Sequence, residues 1–182
     1  RLYAAANPVN DLFSLTWHFD LGRRHERTLC AALDLLDLSG AGRLSAEEFK
    51  KKLYGLGTSL SSDCGEQEAS VSLSGLEKNL WPSLELLWEH FSSPRTEADT
   101  LRKMVEVAMG AHQDNKKNPP YIHHALSELA QRGGESAVLL ELSDPELKSL
   151  KEDALKSLAR RLWDTKRRVS YVGGRPAGEI AR

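Results

Sequence analysis

The segment from Asp37 to Glu48 carries the side chains whose types and spacing best suit a chemical task, the binding of a cation. It begins and ends with a carboxylate, and the hydroxyl groups of Ser39 and Ser45 lie between them. Oxygen atoms offered at alternate positions of a loop of this length can surround a hard cation such as Ca²⁺. Gly42 stands at the sixth position, where glycine permits the sharp turn that such a loop makes.

The residues on both sides of this loop have helical spacing. Apolar side chains recur every three or four positions, at Leu29, Leu33, Leu36, Phe49, Leu53 and Leu56. This spacing predicts an amphipathic helix before the loop and another after it, between about residues 26 and 57. An ordinary turn between two packed helices is the alternative interpretation.

The predicted helix–loop–helix at residues 29–56 resembles the EF-hand family, as found in calmodulin-like proteins. The resemblance implies that Ca²⁺ ligands come from Asp37, Ser39, Arg43, Ser45 and Glu48, with Arg43 using its backbone carbonyl. Ala41 departs from the family pattern, because it offers no side-chain oxygen at the fifth position. We therefore expect calcium binding to be weak or absent and the hand to be retained as architecture, with no other cofactor.

EF-hands usually occur in pairs, so the resemblance also implies a second loop. Two degenerate candidates are present, from Ser92 to Lys103 and from Glu66 to Glu77. Both lack the central glycine, and a partner loop outside this sequence or in a second copy of the chain remains an alternative.

The rest of the sequence favours an all-α fold in two regions. Residues 1–60 form the EF-hand-like region, in which Leu12, Leu15 and Phe19 suggest a further helix. Residues 61–72 are rich in serine and predict a linker or a long loop. Residues 73–182 predict more helices and a frayed C-terminal tail. A cap and a proline open the last long helix, from about Asp144 to Arg168.

That last helix carries a stripe of leucines along one side, at Leu147, Leu150, Leu155, Leu158 and Leu162. Such a stripe would lie in water on an isolated helix. We therefore expect it to dock on the rest of the second region.

No pattern in the sequence indicates an enzyme. The six histidines do not show the spacing of His-Glu-x-x-His, and no nucleophile elbow, phosphate-binding loop or dinucleotide fingerprint occurs. The sequence therefore predicts a protein that works by binding.

Aromatic side chains at helical positions suggest a groove for a peptide helix, made by Trp81, Trp88 and Phe91. The basic end of the last helix suggests a second binding surface, with Arg160, Arg161 and Trp163. Core packing of the tryptophans and a solvated basic face are the alternatives.

Charge and cysteine content limit the expected partners and the expected cellular location. The net charge is −1, from 25 basic and 26 acidic residues, so neither a nucleic acid nor a membrane surface is an expected partner. Of the two cysteines, Cys30 falls within an apolar helical pattern and Cys64 in a polar loop, and they form no Cys-x-x-Cys pair. This argues against a secreted disulfide framework and against a zinc finger, and it favours a cytoplasmic location. The sequence opens at Arg1 without a methionine, as expected for a fragment of a larger protein.

Together these features predict a non-enzymatic, EF-hand-related regulatory module that binds a protein partner. The alternative is a structural helical scaffold or dimerisation region with no calcium role.

Overall fold

A computed structural model describes residues 1–181 and shows a mixed α/β fold, so the prediction of an all-α protein is wrong. Five strands form one sheet in the order β1-β7-β2-β5-β4. Their bounds are β1 Leu2–Ala6, β2 Leu12–Phe19, β4 Thr58–Cys64, β5 Ala69–Leu76 and β7 Arg167–Gly173. Only the β1–β7 pair is parallel. Two short strands, β3 Gly40–Ala41 and β6 Pro94–Arg95, pair separately.

Helices occupy the stretches between these strands. Their bounds are α1 Leu29–Asp37, α2 Ala46–Gly55, α3 Leu80–Ser92, α4 Thr100–Asn115, α5 Pro119–Arg132, α6 Asp144–Ser149, α7 Glu152–Leu162 and α8 Ala177–Ile180. Short 3-10 turns lie at Glu77–Asn79, Gly133–Glu135 and Ala137–Leu140. Among residues 1–181, no helix is long and apolar enough to cross a membrane.

Strand β2 replaces the helix predicted from Leu12, Leu15 and Phe19. Alternate side chains along it are buried, namely Phe13, Leu15, Trp17 and Phe19. A period of two places these side chains on one face of a sheet, whereas a helix repeats every 3.6 residues. The helical prediction used the wrong period, because Leu15 and Phe19 fit both.

The predicted linker at residues 61–72 is the turn and adjoining halves of a hairpin in the sheet. Ala69, Val71 and Leu73 of β5 are buried, and serines alternate with them. Strand β7 starts where the last long helix was predicted to end and is inserted between β1 and β2, while the tail predicted to fray from Gly173 on contains the short helix α8. Both predicted regions therefore contribute to one hydrophobic core.

The leucine stripe is buried as predicted, but its helix is broken. Helix α6 ends at Ser149 and α7 begins at Glu152, so the two carry different parts of the stripe. Leu155, Leu158 and Leu162 belong to the core. Helix α7 packs mainly on α1, so its part of the stripe docks chiefly on the first predicted region and not, as expected, on the second.

Cys30 and Cys64 form a disulfide, which the sequence analysis did not predict and which runs against the reducing compartment that it favoured. The bond joins α1 to the end of β4 across a Cα–Cα distance of 5.3 Å. Nothing in the spacing of the two cysteines indicates this pairing, because tertiary packing brings α1 against β4. A cytoplasmic location stays a prediction, now without the cysteine argument that supported it.

Candidate functional site

The residues predicted to bind calcium use their side chains for local structure. Ser39 is buried, and its hydroxyl donates to the carbonyl oxygen of Leu35 at 2.6 Å. The Asp37 carboxylate accepts a hydrogen bond of 3.0 Å from the hydroxyl of Ser62 on β4. Partial burial raises the pKa of Asp37, and this hydrogen bond only partly opposes the rise. An ordinary helix end therefore accounts for both groups.

The other half of the predicted loop caps α2. The Glu48 carboxylate accepts the backbone N–H of Ser45 at 2.8 Å, and the Ser45 hydroxyl accepts the backbone N–H of Glu48. This reciprocal capping box satisfies free donors at the helix start. The backbone bond from Ser45 lowers the pKa of Glu48. The carbonyl of Arg43 accepts from the guanidinium of Arg95.

The structure explains why glycine stands at position 42. Its φ is +55°, and a Cβ at this position would lie 2.0 Å from a carboxylate oxygen of Glu89 on α3. The Glu89 side chain is exposed and can move away, so the positive φ, which side chains other than glycine rarely adopt, is the main reason for glycine here, without any ion. The candidate second loop from Ser92 meets this one through the short β3–β6 pairing, through the Arg95–Arg43 bond, and through the backbone N–H of Gly42, which donates to the carbonyl oxygen of Ser93 at 2.8 Å.

The EF-hand interpretation is therefore wrong, and calcium binding by the predicted ligands is not supported. Within residues 1–181, no group of three or more His, Cys, Asp or Glu side chains is arranged to hold a metal ion.

His90 is a core residue, 2 % exposed, that the sequence does not single out. Its ring stacks on Phe49 with centroids 4.3 Å apart, and its Nδ1 lies 3.0 Å from the carbonyl oxygen of Gly40. Burial lowers the pKa of His90 to about 4, although the bond to Gly40 opposes this change. His90 is therefore neutral in the folded protein at physiological pH.

Acid should destabilise the protein through His90. The pKa of His90 is about 4 in the folded protein, against an ordinary value of 6.5. At a pH between these two values, the unfolded chain therefore binds more protons than the folded protein does. Its contribution is complete above pH 6.5 and falls as the pH drops towards 4, by up to about 3 kcal/mol. Urea unfolding at pH 7 and pH 4.5 measures the loss. His90→Phe should reduce it, while the exposed control His124→Phe should not; equal losses in all three proteins would contradict this.

The three residues of the predicted peptide groove do not share a surface. Trp81 and Trp88 are 41 % and 63 % exposed on one side of α3, whereas Phe91 is 3 % exposed in the core. The guanidinium of Arg175 lies 5.5 Å from the centroid of the Trp81 ring and partly covers it. A role in partner binding stays a prediction for Trp81 and Trp88.

Trp163 is the centre of an aromatic cluster that links the sheet to α3. The rings of Phe91, Trp17 and Phe19 meet it edge-on at centroid distances of 5.1, 5.3 and 5.4 Å. Its Nε1 atom is buried without a hydrogen-bond partner in the described residues. Trp163 is thus mainly a packing residue, while Arg160 and Arg161 beside it are exposed.

The outer face of the five-stranded sheet is a surface that the sequence predictions missed. One row of register partners carries a hydroxyl group on every strand, from Ser61, Ser72, Thr16, Ser170 and Tyr3. A neighbouring row adds Ser59, Ser74 and Ser14. These side chains are exposed or half-exposed, whereas the opposite face is mostly buried on the three central strands β7, β2 and β5. We call these eight residues the hydroxyl face.

The hydroxyl face is neutral, and its side chains are mostly small. The hydroxyl oxygens of Thr16 and Ser72 lie 3.0 Å apart, and β4 forms the edge of the sheet beside them. Serines that alternate with Ala69, Val71 and Leu73 are the sequence signal for this face.

The fold is that of protease-related α/β domains. The chain is similar to peptidase M16 structures, with low sequence identity in each case. A peptidase M16 inactive domain from Pseudomonas fluorescens has a TM-score of 0.81 and 18 % identity, over 98 % of this chain and 45 % of that one.

Two further structures are proteases. The ferredoxin protease FusC, in complex with Arabidopsis ferredoxin, has a TM-score of 0.80 and 16 % identity, over 98 % of this chain and 20 % of that one. The periplasmic protease PqqL from Escherichia coli has a TM-score of 0.76 and 14 % identity, over 95 % and 20 %. This chain thus spans less than half the length of each of these three proteins. No protein-family model matches the sequence, and no curated protein matches it.

These similarities overturn the EF-hand regulatory function predicted from the sequence. They place the chain among protease-related folds, but the sequence contains neither His-Glu-x-x-His nor His-x-x-Glu-His, the spacings that hold zinc in metalloproteases.

Proposed function

We propose that this chain is a non-catalytic domain with a peptidase M16 fold, which binds polypeptide on its hydroxyl face as part of a longer protein. The observation that carries this proposal is the open face itself. Helices bury one side of the sheet, while the other presents eight hydroxyl groups across five strands.

The chemistry of the hydroxyl face suits an extended peptide of varied sequence. Each hydroxyl can donate and accept a hydrogen bond, as can the alternating N–H and C=O groups of an extended chain. Small side chains let a peptide backbone approach closely, and the free edge of β4 offers further backbone groups. We expect weak binding with little sequence preference, because the face has no deep pocket for a side chain.

The non-catalytic part of the proposal is supported by the structural uses that three of the six histidines already have. His90 packs in the core, and His112 pairs with Asp144 at 2.7 Å. His25 accepts the backbone N–H of Gly22 through its Nδ1 atom. A protein partner is also consistent with the FusC structure. Part of FusC shares this fold, and the structure is a complex with ferredoxin.

Peptide binding can be tested with a neutral ten-residue peptide of Thr, Val and Gln that carries a rhodamine label. The double variant Ser14→Arg, Ser74→Arg places two long cations on exposed positions of the hydroxyl face. It should weaken binding by about fivefold or more, a loss of about 1 kcal/mol. Ser157→Arg, on the exposed side of α7, is the matched control and should bind as the parent does. Fluorescence anisotropy measures all three.

Two results would contradict the proposal. One is peptide binding that the face variant and the control affect equally. The other is cleavage of the peptide by the chain with added Zn²⁺, if a chelator stops it.

A further inference from the structure

We infer that the corner where α3 meets α7 binds an acidic segment of a partner polypeptide. The corner consists of Trp88, Trp163, Arg160 and Arg167, and we call it the aromatic–arginine corner. It lies on the helical side of the sheet, away from the hydroxyl face. The inference therefore goes beyond the proposed function and does not depend on it.

The aromatic part of the corner is an exposed ring on a rigid base. Trp88 is 63 % exposed, and its ring centroid lies 6.5 Å from that of Trp163. Trp163 is held in turn by the core aromatics described above. Tryptophan buries a large area at a low cost in side-chain entropy, and it is enriched among residues that dominate binding energy. An apolar side chain of a partner can therefore pack on Trp88 without rearranging the protein.

The charged part of the corner has cations without carboxylate partners. Arg160 and Arg167 are exposed, and neither forms a salt bridge within residues 1–181. Arg168 differs, because its guanidinium binds Asp20 at 3.0 Å and Glu68 at 3.1 Å. One Arg167 nitrogen donates to the backbone carbonyls of Trp163 and Thr165, which holds the guanidinium at the corner while its charge has no carboxylate partner.

Distances and helix geometry place these groups together. The guanidinium carbon of Arg167 lies 5.7 Å from the Trp163 ring centroid. Arg160 is three residues before Trp163, so both lie on the flank of α7 that faces α3. Arg161 follows Arg160 by 100° around the helix and lies on the other flank. Arg160 is thus part of the corner, whereas Arg161 is a neighbour of the same type outside it.

The surroundings favour a polypeptide over a continuous polyanion. Glu85 and Glu89 are exposed on α3 beside Trp88, and Asp164 is exposed at the end of α7. These carboxylates would repel the evenly charged backbone of a nucleic acid or the surface of an acidic membrane. An acidic peptide can place single carboxylates opposite Arg160 and Arg167 and an apolar side chain on Trp88.

The test uses a rhodamine-labelled peptide of twelve residues, made of Asp, Glu, Leu and Phe. Anisotropy should show binding at low salt that weakens by about tenfold at 300 mM salt, because the pairs are exposed. Arg160→Gln should weaken binding about threefold and Trp88→Ala about tenfold. Arg161→Gln is the matched control and should change it less than about twofold. Thermal melting of each variant checks that folding is intact.

Three outcomes would overturn the inference. The acidic peptide fails to bind at low salt, Arg160→Gln and Arg161→Gln weaken it equally, or Trp88→Ala has no effect in a folded protein. Tighter binding of phosphatidylserine vesicles or of a single-stranded oligonucleotide at the same salt would instead identify the corner as a membrane or nucleic-acid site. The neutral peptide used for the hydroxyl face should bind Arg160→Gln as it binds the parent, so the two proposals fail independently.

Discussion

Replacing Cys30 and Cys64 with serine is expected to lower the free energy of unfolding by about 3–4 kcal/mol. The disulfide closes a loop across a sequence separation of 34 residues, and without it the unfolded chain gains conformational freedom. For a protein of this size the loss corresponds to a fall in Tm of about 6–16 °C. Thermal and urea unfolding of the double variant and the parent measure it.

Reduction of the parent provides the control for the disulfide prediction. Added dithiothreitol should lower the Tm of the parent to that of the double variant and leave the variant unchanged. A parent that melts like the variant without reductant, and that does not respond to reductant, would show that the bond contributes nothing. Disulfides persist mainly in oxidising compartments, so a large effect would weigh against the predicted cytoplasmic location.

Leu158→Ala is expected to cost about 2–5 kcal/mol, because it leaves a cavity where α7 meets the core. Leu158 is 7 % exposed and lies between Leu155 and Leu162, which are also buried. Urea unfolding measures the change. If this variant unfolds with the parent, the leucine stripe does not stabilise the fold.

The control for Leu158→Ala must come from the exposed side of α7. Ser157→Ala is suitable, because Ser157 is exposed and its substitution should change stability by less than about 0.5 kcal/mol. Lys156 is a poor choice, since its ammonium binds Glu152 at 2.7 Å and its side chain is 17 % exposed.

Features that depend on neighbouring residues could be predicted from the sequence. The capping box at Ser143 starts α6 where the sequence places a helix, and helices occur on both sides of the turn at Gly42. The leucine stripe is buried as expected. Caps, turns and helical faces are set within a few residues, so their patterns are visible without a tertiary structure.

The EF-hand error shows where local patterns become ambiguous. Apolar spacing, a glycine at a turn and a glutamate at a helix start are what the resemblance required. The structure uses Gly42 for a turn with a positive φ and Glu48 for a capping box. The same residues serve both purposes, so a motif of this length could not distinguish a calcium site from an ordinary helix pair.

The candidate sites depended still more on tertiary structure. The hydroxyl face arises only when β7 enters the sheet between β1 and β2, which are more than 140 residues away in the chain. The aromatic–arginine corner needs α3 and α7 side by side. The sequence did single out Trp88, Arg160 and Trp163, but it grouped Trp88 with Phe91 in one groove. Only the packing shows that Phe91 is buried.

By itself, the sequence of this protein determined where α2 and α6 begin, which side of the leucine stripe is apolar, and that no zinc-protease spacing is present. The tertiary structure decided the sheet, the disulfide, and which polar side chains lie together on a surface. The physical reason is that strand pairing and disulfide formation join residues that are far apart in the chain. The free energy of these pairings comes from contacts that exist only in the folded protein. A local sequence pattern therefore does not indicate which strand or cysteine a residue will pair with.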